Sequence, residues 1–369
     1  MTDPATDRPT RDHVRVRAPG RVNLIGDHTD YNDGYCLPVA LPQACRIRAV
    51  RSGRGDATWR ATSAQEAGVA VVGRRGTPVG ELPAWGRFLG AALTEAFAMN
   101  VLPPPGAVDL AIDSDIPVGA GLSSSAALCV ALGLVLDALG DGPRLEDGRL
   151  VDFAHAVEVE ATGVPCGFMD QLASVHGRAD HALLLDLRDR SVHAILWPEP
   201  VTIVVAHCGV ARRVEESEYA KRRAACLAAA KRLGVPALRD ATAAQVADDP
   251  VARHVVSENA RVLAFADALG YGNGERMGKL MLASHASLRD DFRVSTPQLD
   301  ALVDAFTHAG AWGARLTGAG FGGCVVAVTR TAHAARTIAA TIERYRADTG
   351  IETEPFTVRP AGGVEVLDD

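Results

Sequence analysis

Between Arg21 and Tyr35 the chain gathers one Arg, one His, three Asp, two Asn and two Tyr around a short apolar step of Val22, Leu24 and Ile25, with glycines at Gly20, Gly26 and Gly34. The whole stretch, Arg17 to Tyr35, is too polar for a core strand and too ordered for a linker. Few folds can house it. Carboxylates, an imidazole and phenols facing a common point are what a pocket needs to grip many hydroxyls, so the segment predicts a sugar site.

The rest of the chain alternates strands and helices. Val14–Ala18 alternates as a strand should, and strand-like runs follow near 45–50, 57–61 and 69–73. Residues 84–99 have helical composition, and 108–113 alternate again. Helices are expected from the 117–127 turn to about 139, at 149–161 and in a short segment opened by 163–171. Strands near 182–188 and 191–197 predict a hairpin across Arg188-Asp-Arg190. Trp197-Pro-Glu-Pro200 is the candidate boundary between a first unit, 13–198, and a second, 199–369, with 1–12 as a disordered lead-in. The second unit starts with a strand at 202–206. It continues with helices at 214–232, 258–268, 273–289 and 297–309, a glycine turn at 318–323, a strand at 324–328, a helix at 333–346 and a strand at 356–360. The class is mixed α and β, and 369 residues with 47% hydrophobic content can bury the core of two domains.

A second polar landmark is Pro117-Val-Gly-Ala-Gly-Leu-Ser-Ser-Ser-Ala-Ala127. Gly119 and Gly121 let the backbone turn steeply and approach a ligand. Ser123, Ser124 and Ser125 fall at a helix N-terminus, where free N–H groups and the dipole attract anions. One Ser would suit a plain cap; three after Gly-x-Gly favour a phosphate cradle, with hydroxyls for phosphate oxygens or magnesium. The G-x-x-x-x-G-K-[ST] loop and the protein-kinase motifs are absent, and Ser125 stands where a nucleophile elbow needs glycine.

Gly318-Ala-Gly-Phe-Gly-Gly323 fits GxGxxG but leads into a β-run, so it fails as a dinucleotide motif. Either it is a tight hairpin or it is a glycine loop closing over a ligand, with Gly320 in its middle. Asp170 sits near a helix start, where an Asp is commonly a cap. Gly167 beside it permits close approach, and Glu158 on the preceding helix can supply a metal-binding carboxylate. An anion cradle, a hydroxyl-binding segment and two carboxylates together suit phosphoryl transfer to a sugar, in which the protein aligns acceptor and γ-phosphate and neutralises charge. A carboxylate base takes the acceptor proton, and a nearby Arg stabilises the nascent alkoxide.

These residues resemble a known family. The 117–127 segment is similar to the nucleotide motif of the GHMP small-molecule kinases, and Gly20 to Asn32 resembles the galactokinase signature within them. Gly163–Gln171, Ser217–Arg223 and Arg315–Cys324 match galactokinases in the same order, so the similarity runs from about residue 14 to the end. The resemblance implies an α+β fold of two domains with mixed sheets and helices, and an active site in the cleft between them. It implies ATP-dependent phosphorylation of the anomeric hydroxyl of galactose, with magnesium. By motif position Asp170 is the base and Arg21 its electrostatic partner. Asp27, His28, Asp30, Gly167 and Tyr219 contact sugar hydroxyls. Glu158 and Ser125 hold magnesium, and Ser123 and Ser124 face the phosphates. Trp85 falls where the family places an aromatic against adenine, and equally where a core Trp would sit.

One position departs from the family: Asp27 stands where Glu is usual, and its carboxylate retracts by roughly 1.5 Å. A local backbone adjustment that keeps the contact is the favoured reading; an altered preference for another sugar (amino sugar, pentose or heptose) is the other. A non-catalytic sugar and ATP sensor is disfavoured because the serine loop, Asp170 and Arg21 are all present. The net charge of -7 argues against nucleic-acid or membrane-surface partners. Seven scattered cysteines with no CxxC argue for reduced thiols, not disulfides or zinc. With no signal peptide or apolar span of membrane length, the expected compartment is the cytoplasm. A monomer is compatible with everything in the sequence.

Overall fold

The structure, a computed structural model, describes residues 11–101, 103–140, 144–210 and 216–367. Its elements run β1 (His13–Asn23), β2 (Tyr35–Cys36), β3 (Pro38–Ser52), β4 (Thr58–Ser63), β5 (Val69–Gly73), α1 (Arg87–Ala98), β6 (Ala107–Ser114), α2 (Ser124–Leu139), α3 (Asp147–Thr162), α4 (Met169–His176), β7 (His181–Asp186) and β8 (Ser191–Leu196). The order continues with β9 (Val201–His207), α5 (Glu216–Leu233), α6 (Pro250–Gly270), α7 (Gly274–Asp290), α8 (Pro297–His308), β10 (Gly313–Leu316), β11 (Cys324–Arg330), α9 (Ala334–Thr349), β12 (Phe356–Val358) and β13 (Glu365–Leu367). The fold is α+β, as expected. Most of the expected lead-in lies outside the described residues, as do positions 214 and 215 of the helix expected at 214–232.

Among the described residues, three sheets organise the fold. Six strands run in the order β13-β1-β3-β6-β4-β5, four in the order β10-β11-β9-β12, and three in the order β2-β7-β8. The six-stranded sheet is antiparallel except where β4 runs parallel to β6. Helices α2 and α4 pack on its β1 and β3 strands. Val14 and Val16 are buried while His13 and Arg15 are exposed, so the alternation seen in the sequence reflects one covered and one open face. β13 lies against β1, pairing Val16 with Val366. The last strand of the chain thus joins the sheet of the first half.

The four-stranded sheet is a partition. On β9, Ile203 and Val205 belong to one apolar core while Val204 and Ala206 belong to the other. On β11, Val326 and Val328 face the first core and Val325 and Ala327 the second. Covered on both faces, these strands read as continuous apolar runs.

Two sequence expectations require correction. Arg21, Val22 and Asn23 were expected outside any core strand, yet they form the buried end of β1. Polar groups are tolerated there because Arg21 has charged and carbonyl partners, described below. Helix α6 starts at Pro250, not near 258: Asp249 caps it by accepting from the Ala252 N–H, and Pro250 occupies the first turn. The caps of α7 and α8 are built similarly, by Asn273 and Thr296.

Helix α7 lies directly on β10 because neither Gly278 nor Gly313 carries a side chain; a methyl group at Gly278 would collide with the Trp312 carbonyl. Gly278→Ala is therefore expected to destabilise the protein by about 2 kcal/mol or more, the scale of overpacking against backbone. Urea unfolding of the variant checks this, and an unchanged midpoint would contradict the close approach.

Candidate active site

The end of β1 delivers Arg21 to a cavity of about 370 Å³. Its guanidinium grips Asp170 side-on, Nε to Oδ1 at 2.7 Å and Nη2 to Oδ2 at 2.8 Å. The remaining nitrogen, Nη1, donates to the Gly121 carbonyl at 2.7 Å. One side chain thus links β1, the first turn of α4 and the serine loop. Arg21 is buried, whereas 26% of the Asp170 side chain remains accessible, enough to face a substrate.

The serine loop leads into α2. Ser123 takes a left-handed conformation (φ 63°), and no side chain caps the helix. The first N–H groups of α2 are therefore without a side-chain partner, beside cavity-lining Gly119 and Gly121. The three serines point to different partners. Ser123 Oγ donates to Asp170 Oδ2 at 2.5 Å, so its hydroxyl is turned to the carboxylate. Ser125 Oγ donates to Glu158 Oε1 at 2.5 Å. Ser124 lines the cavity.

Glu158, on α3, also accepts from Gln171 Nε2 at 2.5 Å. Burial, reinforced by the Asp170 charge and only partly offset by Ser125 and Arg21, pushes its carboxyl up to about 7. Among the described residues no group of three His, Cys, Asp or Glu side chains is gathered for a metal. One buried carboxylate and one hydroxyl suit magnesium, which retains waters and binds through one or two carboxylates plus substrate phosphates.

On the other side of Asp170 lies the polar segment. A short turn at Asp30–Asn32 carries Asp30, whose carboxylate abuts the backbone of Gly167 so closely that a methyl group there would collide with it. Asp30 is likewise pushed up to about 7, by burial first and then by the neighbouring charges of Asp170 and Asp27. His28, left-handed at φ 65°, shares a 2.9 Å hydrogen bond between Nδ1 and the Tyr31 hydroxyl. Its ring lies 4.6 Å from Phe292 and 6.0 Å from Tyr219 on α5. Tyr219, Gly318 and Ala319 bring the second half into the cavity wall, so the site lies between the halves.

Two expected residues stand away from this wall. Trp85 precedes α1, donates from Nε1 to the Ala67 carbonyl at 3.2 Å and packs beside the first core. Gly320 packs against Val294, while Gly318 and Ala319 reach the cavity.

Supporting residues stand behind the site, one of them, Glu258, with no functional signal in the sequence. Glu258, wholly buried on α6, accepts from the Gly26 N–H at 3.0 Å, Ser284 Oγ at 2.5 Å and Arg261 Nε at 2.7 Å. Burial opposes its ionisation, but Arg261, His254, Arg315 and the Ser284 hydroxyl outweigh that and hold it at about 2. In sequence it looks like half of a solvated i,i+3 pair with Arg261. Thr317 Oγ1 donates to the Asn23 carbonyl at 2.8 Å.

Comparison with known proteins gives the family. The model of the GHMP kinases N terminal domain matches residues 88–178, that of the galactokinase galactose-binding signature 7–51 and that of the GHMP kinases C terminal region 264–347. A galactokinase of Chloroflexus aurantiacus is 42% identical over 95% of this chain and 93% of its own length. The chain belongs to the galactokinase family of GHMP kinases. A second galactokinase, of a Roseiflexus species, is 41% identical over 97% of this chain and 94% of its own. Among solved structures, Lactococcus lactis galactokinase complexed with galactose superposes with a TM-score of 0.89 at 30% identity, covering 97% of this chain and 96% of that one. Methanococcus jannaschii mevalonate kinase shares the fold, with a TM-score of 0.68 at 18% identity over 96% and 100% of the two chains. No helix among the described residues is long and apolar enough to cross a membrane.

The two raised carboxyls predict a pH dependence. Folded Asp30 and Glu158 hold protons up to about 7, whereas their ordinary values are 3.8 and 4.5. Their contribution thus favours the folded state below about pH 4 and is lost as pH rises through about 7. Asp30→Asn and Glu158→Gln are expected to raise the Tm of the ligand-free protein more at about pH 8 than at about pH 5. Thermal scans at the two pH values decide it, and equal shifts would contradict the raised values.

Proposed function

We propose that this chain transfers the γ-phosphoryl group of ATP to the anomeric hydroxyl of galactose, giving galactose 1-phosphate and ADP. The observation that carries the reading is the Arg21–Asp170 pair, set between the hydroxyl-binding segment and the uncapped N-terminus of α2. The galactose-binding signature and the galactose complex of the Lactococcus lactis relative support the choice of sugar.

In this reading Asp30, His28, Tyr219 and the Gly167 backbone orient the sugar so that its anomeric hydroxyl meets Asp170. Asp170 accepts the hydroxyl proton as the oxygen attacks the γ-phosphorus. The bond from that phosphorus to the bridging oxygen breaks, and ADP leaves with the electron pair. Arg21 holds Asp170 in a fixed orientation by two parallel bonds and lies close enough to stabilise developing negative charge on the acceptor oxygen. Ser123 donates to the same carboxylate, on Oδ2. The free N–H groups of α2, with Gly119, Gly121 and Ser124, receive phosphate oxygens. Glu158 and Ser125 would hold magnesium, which supplies charge neutralisation on the phosphates when bound.

Galactose-dependent ADP release that also requires magnesium is the expected result of a coupled assay over a panel of free sugars. Asp170→Asn keeps the shape of the carboxylate but removes the base. It should lower kcat by about 10²- to 10⁴-fold while galactose still binds in calorimetry. Near-normal turnover in that variant would remove Asp170 from the role of base.

A further inference from the structure

Helix α6 grips the backbone of the polar segment at both ends. Glu258 accepts the Gly26 N–H at 3.0 Å. One turn earlier on the same face, His254 Nε2 lies 3.2 Å from the Asp27 carbonyl. A carbonyl can only accept, so the imidazole proton sits on Nε2, and Nδ1 faces the Ser287 hydroxyl at 2.9 Å. Burial, only partly offset by the Glu258 charge, pushes the His254 imidazole down to about 4, which makes it a neutral donor. At the other end of the segment, Asn259 Oδ1 accepts the Tyr35 N–H at 2.8 Å. All three side chains are buried.

Between β1 and β2 the chain makes a short turn at Asp30–Asn32 and otherwise runs irregularly, so its backbone groups depend on side chains for partners. It lies directly on α6: Gly26 turns at φ 96°, and a methyl group there would collide with the Tyr35 carbonyl and with Val262 of the helix. Phe292 extends the contact, its ring 4.7 Å from that of His254 and 4.6 Å from that of His28. Between the anchored ends the segment carries Asp27, His28 and Asp30 to the cavity wall. There Asp27 Oδ1 accepts the Gly318 N–H at 3.1 Å, and Oδ2 lies 2.5 Å from Arg315 Nη2. His254, Glu258 and Asn259 stand behind that wall and reach the cavity through the backbone they hold.

We propose that His254, Glu258 and Asn259 are positioning residues for the sugar: from α6, in the second half, they fix the backbone of residues 26–35 and so the places of the side chains that meet sugar hydroxyls, without touching the sugar. This deepens the function proposed above and rests on it. The nucleotide side of the cavity, built on the 119–125 loop, takes no part in this grip, so the three residues act on sugar affinity and leave nucleotide affinity alone.

The test is calorimetry, with galactose and ADP titrated separately, alongside steady-state kinetics. His254→Leu removes the donor to the Asp27 carbonyl, and His254→Gln restores an N–H of similar reach. His254→Leu should weaken galactose and raise its KM about tenfold, with ADP affinity and kcat each within about threefold of wild type. His254→Gln should recover galactose affinity to within about threefold. Equal losses for ADP and galactose would overturn the proposal, as would unchanged galactose affinity in His254→Leu or a His254→Gln variant no better than His254→Leu. If His254→Leu does not fold, Asn259→Ala carries the test at the other end of the segment: galactose about fivefold weaker with ADP unchanged supports the positioning role, and equal losses or unchanged galactose overturn it. A wild-type protein that binds another free sugar and not galactose would count against the function proposed above. The variants are then titrated with that sugar, and the same split between sugar and ADP decides the role of α6.

Discussion

Arg21 is a buried charge, and a guanidinium removed from water must find acceptors for its fork of donors. It finds them in Asp170 and the Gly121 carbonyl. Satisfying those donors fixes three things together: where β1 ends, how α4 is rotated and where the serine loop stands. The same constraint sets the chemistry, because the carboxylate aimed at the cavity is the one that Arg21 holds. The polar cluster around it is costly in the absence of ligands. Asp30 and Glu158 resist ionisation there, and the surrounding fold stabilises them in place until substrates supply partners.

That arrangement works only if the two halves keep register. The four-stranded sheet contributes by burying both of its faces, so each apolar core meets it on one side. The polar seam contributes specificity of position. Glu258 reaches Gly26, Thr317 reaches Asn23, and Asp27 reaches Arg315 and Gly318. All three contacts converge on the segment that carries His28 and Asp30. Each would be expensive to break on one side alone, since the remaining partner would be buried unpaired.

Much of this was legible in the sequence, and the reasons are local. Strand β9 and the covered face of β1 announce themselves by apolar pattern, the serine loop by three hydroxyls after Gly-x-Gly, and the hydroxyl-binding segment by its composition. Strands β2, β10 and β13 were missed because two to four residues are too few to show a period. The start of α6 was placed too late although Asp249 and Pro250 are a cap and a first-turn proline. Glu258 was unreadable as a support of the site, because Gly26 lies 232 residues away and a buried charge looks like a surface one until its surroundings are known.

The pairing of β13 with β1 sets a timetable for the chain. Strand β1 has β3 as one neighbour soon after it is made, but its other edge waits for residues 365–367. On the way back the chain is tied to the first half by the Ala361 N–H on the Ala40 carbonyl and the Val364 N–H on the Ser174 carbonyl. Folding during synthesis generally proceeds from the N-terminus. Here the edge of β1 at Arg15–Arg17 stays open until residues 365–367 have been made. The strand that delivers Arg21 to the cleft is therefore completed by residues made long after it.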